Sequence, residues 1–206
     1  RYIGWCYLSP TQKKLDYKGI ELSRRDAPPI ITRIYKELIQ CIIPTVGGAV
    51  KTNKESIQKD VRAKFKSELD DIIADRLPMS DYIITRKLNK NPEEYDNPLP
   101  HVALVKRYQK DLKHQVSVGA RVQYVMKKAC RKRKASEMAE FADVMPSTRN
   151  VDKNYYIKLL QNPVSQLCSI FESNTFVGEM IKNAIAEVHS SGTHKITSFF
   201  TKKNLQ

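Results

Sequence analysis

Apolar and polar positions along the 206-residue chain change period several times, and each change predicts an element. Tyr2 to Leu8 is almost continuously apolar and aromatic, which predicts a strand buried on both faces. Ser9-Pro10-Thr11-Gln12 supplies turn residues. Within Lys14 to Asp26, Ile20 and Leu22 fall on one side of a period-two pattern and Glu21 and Ser23 on the other, predicting a half-buried strand with a charged outer face. The two strands read as a hairpin. Gly19 leaves a flat spot on its second strand where another backbone can come close.

The period then becomes helical. Asp26, Pro28 and Pro29 form a helix start, and Ile30, Ile34, Leu38 and Ile42 share one face opposite Arg33, Lys36, Glu37 and Gln40. Pro44 and Gly47-Gly48 end it. Thr52-x-x-Glu55 predicts a capping box for a second helix, whose stripe of Ile57, Val61, Phe65, Leu69, Ile72 and Ile73 runs to about Leu77 and Pro78. Near the far end, Pro163 is expected to kink or split a helix. Phe176, Val177, Met180, Ile181, Ala184, Ile185 and Val188 mark a last amphipathic helix, and Ser190-Ser191-Gly192 reads as a flexible spacer.

Charge narrows the partners. The chain carries a formal net charge of +14 with 41% apolar residues, a globular composition that favours a polyanion, nucleic acid before an anionic membrane surface. From His101 to Lys134 eleven Lys/Arg stand against Asp111 alone, so one region holds most of the excess. Cys6, Cys41, Cys130 and Cys168 are far apart and form no C-x-x-C pair, which argues against zinc ribbons and disulfide frameworks and for a reduced, intracellular protein. No apolar run approaches the length of a membrane span.

The run Lys14 to Asp26 resembles the K-x-D-x-K-G-x-E-x-x-R-R-D signature of family B DNA polymerases, with every fixed position present. Arg1-Tyr2 resembles the end of the K-K-R-Y motif just upstream of it. Further blocks follow in the family's order. Asp81 to Leu88 with Pro100-His101-Val102 resembles the I-T-K-x-L and P-H-V thumb segment, and Gly119 to Met126 resembles G-D-R-V-x-Y-V-I, with Ala120 in place of the acid. Val151 to Ile157 and Pro163 to Glu172 resemble the D-x-x-Y-Y-I helix and its continuation. The resemblance implies an α+β, mainly α fold: a palm-end β-hairpin (1–27), a mostly helical thumb with a small β element (28–190) and a tail (191–206). It also implies the carboxyl-terminal piece of a longer viral polymerase of the large-DNA-virus type, more narrowly the asfarvirus (African swine fever virus-like) type. Such a protein would work inside the host cell, at cytoplasmic replication sites or in the nucleus.

The family's two-metal phosphoryl transfer uses aspartates upstream of K-K-R-Y. Neither D-x-x-S-L-Y-P-S nor D-T-D occurs here, so no catalytic residue and no metal ligand is expected in this stretch, Mg2+ being held elsewhere in the whole enzyme. Asp70-Asp71 reads as a solvated helix face. The expected role is to grip primer-template DNA through its phosphates. The resemblance assigns Arg1, Tyr2, Lys14, Lys18, Gly19, Arg24 and Arg25 to the palm side, and makes Arg86, Lys87, Lys106, Arg107 and Arg121 candidates along the thumb.

Lys127 to Lys134 fits a loop brushing DNA, a nuclear import signal or a solvated charge run. Thr193 to Phe200 resembles a sliding-clamp-binding peptide, with Ile196, Phe199 and Phe200 as its apolar plug and Thr193 where the polar anchor Gln would stand. Two other readings remain open: a free-standing basic DNA-binding or clamp adaptor protein, and a small nuclease, for which no acidic metal cluster is visible.

Overall fold

The computed structural model describes residues 2–18, 27–43, 53–97, 99–129, 134–169 and 175–200, excluding the side chains of Ile3, Leu15, Tyr17, Leu112 and residues 191–200. Pro44, Gly47, Gly48 and most of the basic run after Lys128 therefore lie outside the described residues. The chain divides into two compact units, residues 1–23, 34–76 and 156–206 in the first and 24–33 and 77–155 in the second.

In the first unit, β1 (Tyr2–Tyr7) and β2 (Lys13–Lys18) form an antiparallel hairpin about the predicted turn, with Tyr2 opposite Lys18 and Tyr7 opposite Lys13, while Ile20, Glu21, Leu22 and Ser23, whose alternation predicted the second strand, lie outside the described residues. The turn is closed by the Leu8 amide donating to the Gln12 carbonyl and by Ser9 accepting from the Gln12 amide. Burial of β1 on both faces is not found: Tyr2, Cys6, Tyr7 and Leu8 are exposed. A two-stranded sheet needs an added layer to cover an apolar face, and none covers these residues within the described chain.

Helix α1 (Pro29–Ile42) begins at the predicted prolines and buries the predicted face at Ile30, Ile34 and Leu38, Asp26 lying outside the described residues. Helix α2 (Lys54–Ile73) is capped by Asn53, whose side chain accepts from the Glu55 amide at 2.9 Å. That places Glu55 one position too early for the capping box expected from Thr52. α2 ends four residues before Leu77, where Asp75 turns into the left-handed region at φ 59° and the Arg76 amide donates to the Asp71 carbonyl. The first unit's core is built from Ile34, Leu38 and Ile39 of α1, Val61, Phe65, Leu69 and Ile72 of α2, and apolar residues of α4 (Lys153–Cys168) and α5 (Thr175–Phe200). α2 packs along α5, with the Arg62 guanidinium 4.7 Å from the Phe176 ring centroid.

Pro163 does not split α4. It lies buried inside one continuous helix, so packing of the surrounding Leu160, Val164 and Leu167 outweighs the lost amide donor. The backbone of α5 likewise runs through Ser190, Ser191 and Gly192 to Phe200, where a spacer was expected. Once a helix is nucleated, each added residue gains a hydrogen bond, and one glycine subtracts only about 1 kcal/mol.

The second unit is organised by a three-stranded antiparallel sheet in the order β3 (Ile84–Lys87), β4 (Arg121–Met126), β5 (Ala139–Phe141). Helix α3 (Pro100–Arg107), with proline in its first turn, lies in the long connection between β3 and β4 and packs on β5. Gly119 closes that connection at φ 90°, its amide donating to the Leu88 carbonyl. Tyr82, Ile84, Leu88, Val102, Leu104, Val122, Tyr124 and Met126 form the core. No described helix is long and apolar enough to cross a membrane.

Candidate nucleic-acid interface

Residues directly opposite in an antiparallel pair share a face. Tyr2 faces Lys18, Gly4 faces Asp16 and Cys6 faces Lys14, so Tyr2, Lys14 and Lys18 come together on one side of the hairpin. The Tyr2 hydroxyl donates to Asp16 Oδ2 at 2.5 Å, and that bond raises the phenol's pKa and keeps it protonated. Neither lysine has an ion pair among the described residues. Lys13 and Trp5 occupy the opposite face, the ammonium 4.5 Å from the ring centroid. A Cβ added at Gly4 would meet nothing within 4 Å, so the face that carries Tyr2, Lys14 and Lys18 is open at its centre. Arg1, Gly19, Arg24 and Arg25 lie outside the described residues.

The second patch is on β3 and β4. Lys87 stands directly opposite Arg121, both exposed, and neither carries an ion pair among the described residues. Like charges facing each other across a strand pair destabilise it, so an anion bridging them would relieve a strain built into the register. Arg86 is not brought to this patch. It pairs with Val122 on the opposite parity, half-buried, close enough to His101 and Tyr155 for its charge to act on both. Burial first, and that charge second, depress the His101 pKa, which keeps the imidazole neutral where it stacks on Tyr124.

Lys106 and Arg107 close α3 but point to internal partners. Lys106 Nζ lies 3.1 Å from Glu93, a surface pair of little weight. Arg107 donates to the carbonyls of Glu137 and Ala139 and to Glu140 Oε1 at 3.1 Å. Glu140 is 6% exposed and also accepts from Tyr108 and Lys127, each at 2.7 Å. Burial alone would raise its pKa, but the bonds from Lys127 and Tyr108 and the Arg107 charge outweigh burial and hold the carboxyl below its ordinary value. Sequence reasoning gave Arg107 to DNA and did not single out Glu140, whose only local signal is an acid between two apolar residues of a short strand.

His114 was also missed. Nδ1 lies 2.8 Å from Asp111 and Nε2 about 3.2 Å from Asp143, while the ring stacks on Phe141. The Asp111 bond, then the Asp143 bond, raise its pKa. A raised histidine stabilises fully below its unfolded pKa of about 6.5 and loses that contribution as pH climbs through the folded value. The urea midpoint should therefore fall between pH 6 and pH 9, and His114→Asn should flatten that fall. An unchanged pH profile in the variant would show that the two carboxylates do not hold the imidazolium.

Ile196, Phe199 and Phe200 sit on α5, spaced so that the helical backbone places them on one stripe; their side chains lie outside the described residues. No group of three or more His, Cys, Asp or Glu is placed to hold a metal among the described residues.

The DNA polymerase family B profile matches residues 1–171. The DNA polymerase delta catalytic subunit of Arabidopsis thaliana is 32% identical over 205 residues, covering 96% of this chain and 17% of that protein. That of Plasmodium falciparum is 30% identical over 181 residues, covering 85% and 15%. The chain thus spans less than a fifth of these relatives' length. The family B DNA polymerase of the hyperthermophilic archaeon Pyrobaculum calidifontis shares the fold at a TM-score of 0.54 and 22% identity, over 68% of this chain and 17% of that one. A profile that spans residues 1–171, from the hairpin through α4, takes in the blocks whose order carried the resemblance up to the residue before Glu172, and this chain belongs to DNA polymerase family B.

Proposed function

We propose that this chain is the palm end and thumb of a DNA-directed DNA polymerase and that it holds primer-template duplex by its phosphates, without reading sequence. The observation that carries this reading is the exposed Lys87–Arg121 pair, two cations set opposite each other by strand register and without an ion pair among the described residues. Phosphate is the anion that a polymerase family member meets in repeating array, and each neutralised phosphate releases counterions. The Tyr2, Lys14 and Lys18 face supplies a second cationic surface of the same kind. Residues 1–27 are assigned to the palm and 28–190 to the thumb. Mg2+-dependent nucleotidyl transfer belongs, in this proposal, to the whole enzyme and to carboxylates outside the described residues. The relatives reported above are cellular, so the proposal is made for a replicative family B polymerase, and the viral type rests on the motif resemblance alone. Binding of a sliding clamp by Ile196, Phe199 and Phe200 rests on sequence pattern together with the helical backbone under it.

The test is binding to a labelled primer-template across a salt series, beside single strand and blunt duplex. Affinity for duplex that falls steeply with salt is the expected result, and salt-insensitive binding would sink the reading. The hairpin face has its own probe. Cys6 is exposed on it, whereas Cys168 is buried and its thiol is pushed up to about 12 by desolvation. In the folded chain a thiol reagent at pH 8 should modify Cys6 and spare Cys168, and bound primer-template should slow Cys6 labelling severalfold. Equal rates with and without DNA would remove the hairpin from the interface.

A further inference from the structure

Beside the β4–β5 ladder the second unit contains an open cavity of about 480 Å3, within the range of ligand sites. Its apolar wall is Ala129, Val144, Met145 and Pro146, and Val144 is 41% exposed. Lys128 and Arg149 stand at the rim, both exposed, with no ion pair among the described residues. The backbone fixes the rim: the Lys128 amide donates to the Asn150 carbonyl, and Lys127 bridges to Val151. The one acid in the lining, Glu140, is already held by Lys127 and Arg107 and does not repel an incoming carboxylate.

We propose that this cavity is a docking site for an acidic peptide segment of a partner protein, one that inserts an apolar side chain against Val144, Met145 and Pro146 while flanking carboxylates pair with Lys128 and Arg149. Charge complementarity names an anion, and the wall chooses among anions. A nucleobase laid against Val144, Met145 and Pro146 would put its polar edges on carbon along that wall. The lining also holds no aromatic ring on which a base could stack. A leucine or phenylalanine side chain desolvates no polar group on entering and gains the burial of its own area. Lys127 and Lys128 are the first two residues of the basic run 127–134. This inference does not rest on the DNA-gripping reading.

The probe is a fluorescein-labelled acidic heptapeptide carrying one leucine and one phenylalanine, titrated into the whole chain by anisotropy. A second peptide has both apolar residues replaced by serine, and an oligothymidine serves as competitor. Saturable binding is expected, weakened at least tenfold by the serine peptide, by Arg149→Glu and by Val144→Asp. Both variants should keep the wild-type circular dichroism and primer-template affinity, since both side chains are exposed and neither is on the Lys87–Arg121 face. Equal affinity for the serine peptide would reduce the site to charge alone and overturn the proposal, as would absence of peptide binding or indifference to both variants. Oligothymidine that displaces the peptide and is itself weakened by Val144→Asp would make the cavity a nucleotide site instead.

Discussion

Replacing Lys87 and Arg121 together by alanine is expected to weaken primer-template binding roughly 10- to 100-fold at low salt and to flatten the log–log salt slope by about 1.8, two phosphate contacts at about 0.9 each. The sharper result is the sign of the accompanying stability change. These residues face each other across β3 and β4 with like charge. Arg121→Glu converts repulsion into an opposite-charge cross-strand pair, so the fold should gain on the order of 0.2–1 kcal/mol while DNA affinity falls. A residue that merely decorates the surface has no reason to weaken binding, and one that holds the sheet together has no reason to strengthen it when reversed. Urea midpoints and anisotropy on the same three proteins separate these cases. Higher stability with unchanged DNA affinity would show the pair to be a surface liability and would remove the central support for the proposed grip.

What could be read from the chain in advance divides along physical lines. Local periodicity and turn residues placed the hairpin, α1 and α2, because each depends on neighbours in sequence, whereas the P-H-V start of α3 came from the family resemblance. Strand parity was available but unused: Arg86 and Lys87 are adjacent, so they cannot share a face, and Ile84 already marked the buried one. The choice of Asn53 over Thr52 as cap turns on one residue of backbone, since both side chains can accept an amide. Pro163 obeyed its burial in α4 rather than its helix propensity. The hardest features were pairings over long separation. Arg107 meets Glu140 and His114 meets Asp143 across about thirty residues of chain, and no local pattern marks such partners.

Removing the Glu140 carboxylate should produce the largest loss of stability. Glu140→Ala leaves Arg107 and Lys127 without their common anion in a site where the acid is 6% exposed; because both cations keep roughly a third of their side chains in water, the cost stays below that of a fully buried pair, at roughly 2–3 kcal/mol. That is a large fraction of the roughly 5–15 kcal/mol that holds an ordinary domain folded. Glu140→Gln keeps the shape and the bond from Tyr108 and should cost less than half as much. Because the folded carboxyl titrates below its ordinary value of about 4.5, its stabilisation is complete above that pH and is lost as pH falls through the lower, folded value. Stability of the wild type should therefore decline on acidification more steeply than that of Glu140→Gln. Arg107→Ala decides which partner that guanidinium serves. As an internal tether to Glu137, Ala139 and Glu140, it should lower the unfolding midpoint and leave the salt slope of DNA binding unchanged. As a phosphate contact it would flatten the slope by about 0.9, and that result would return Arg107 to the interface from which its hydrogen bonds now withdraw it.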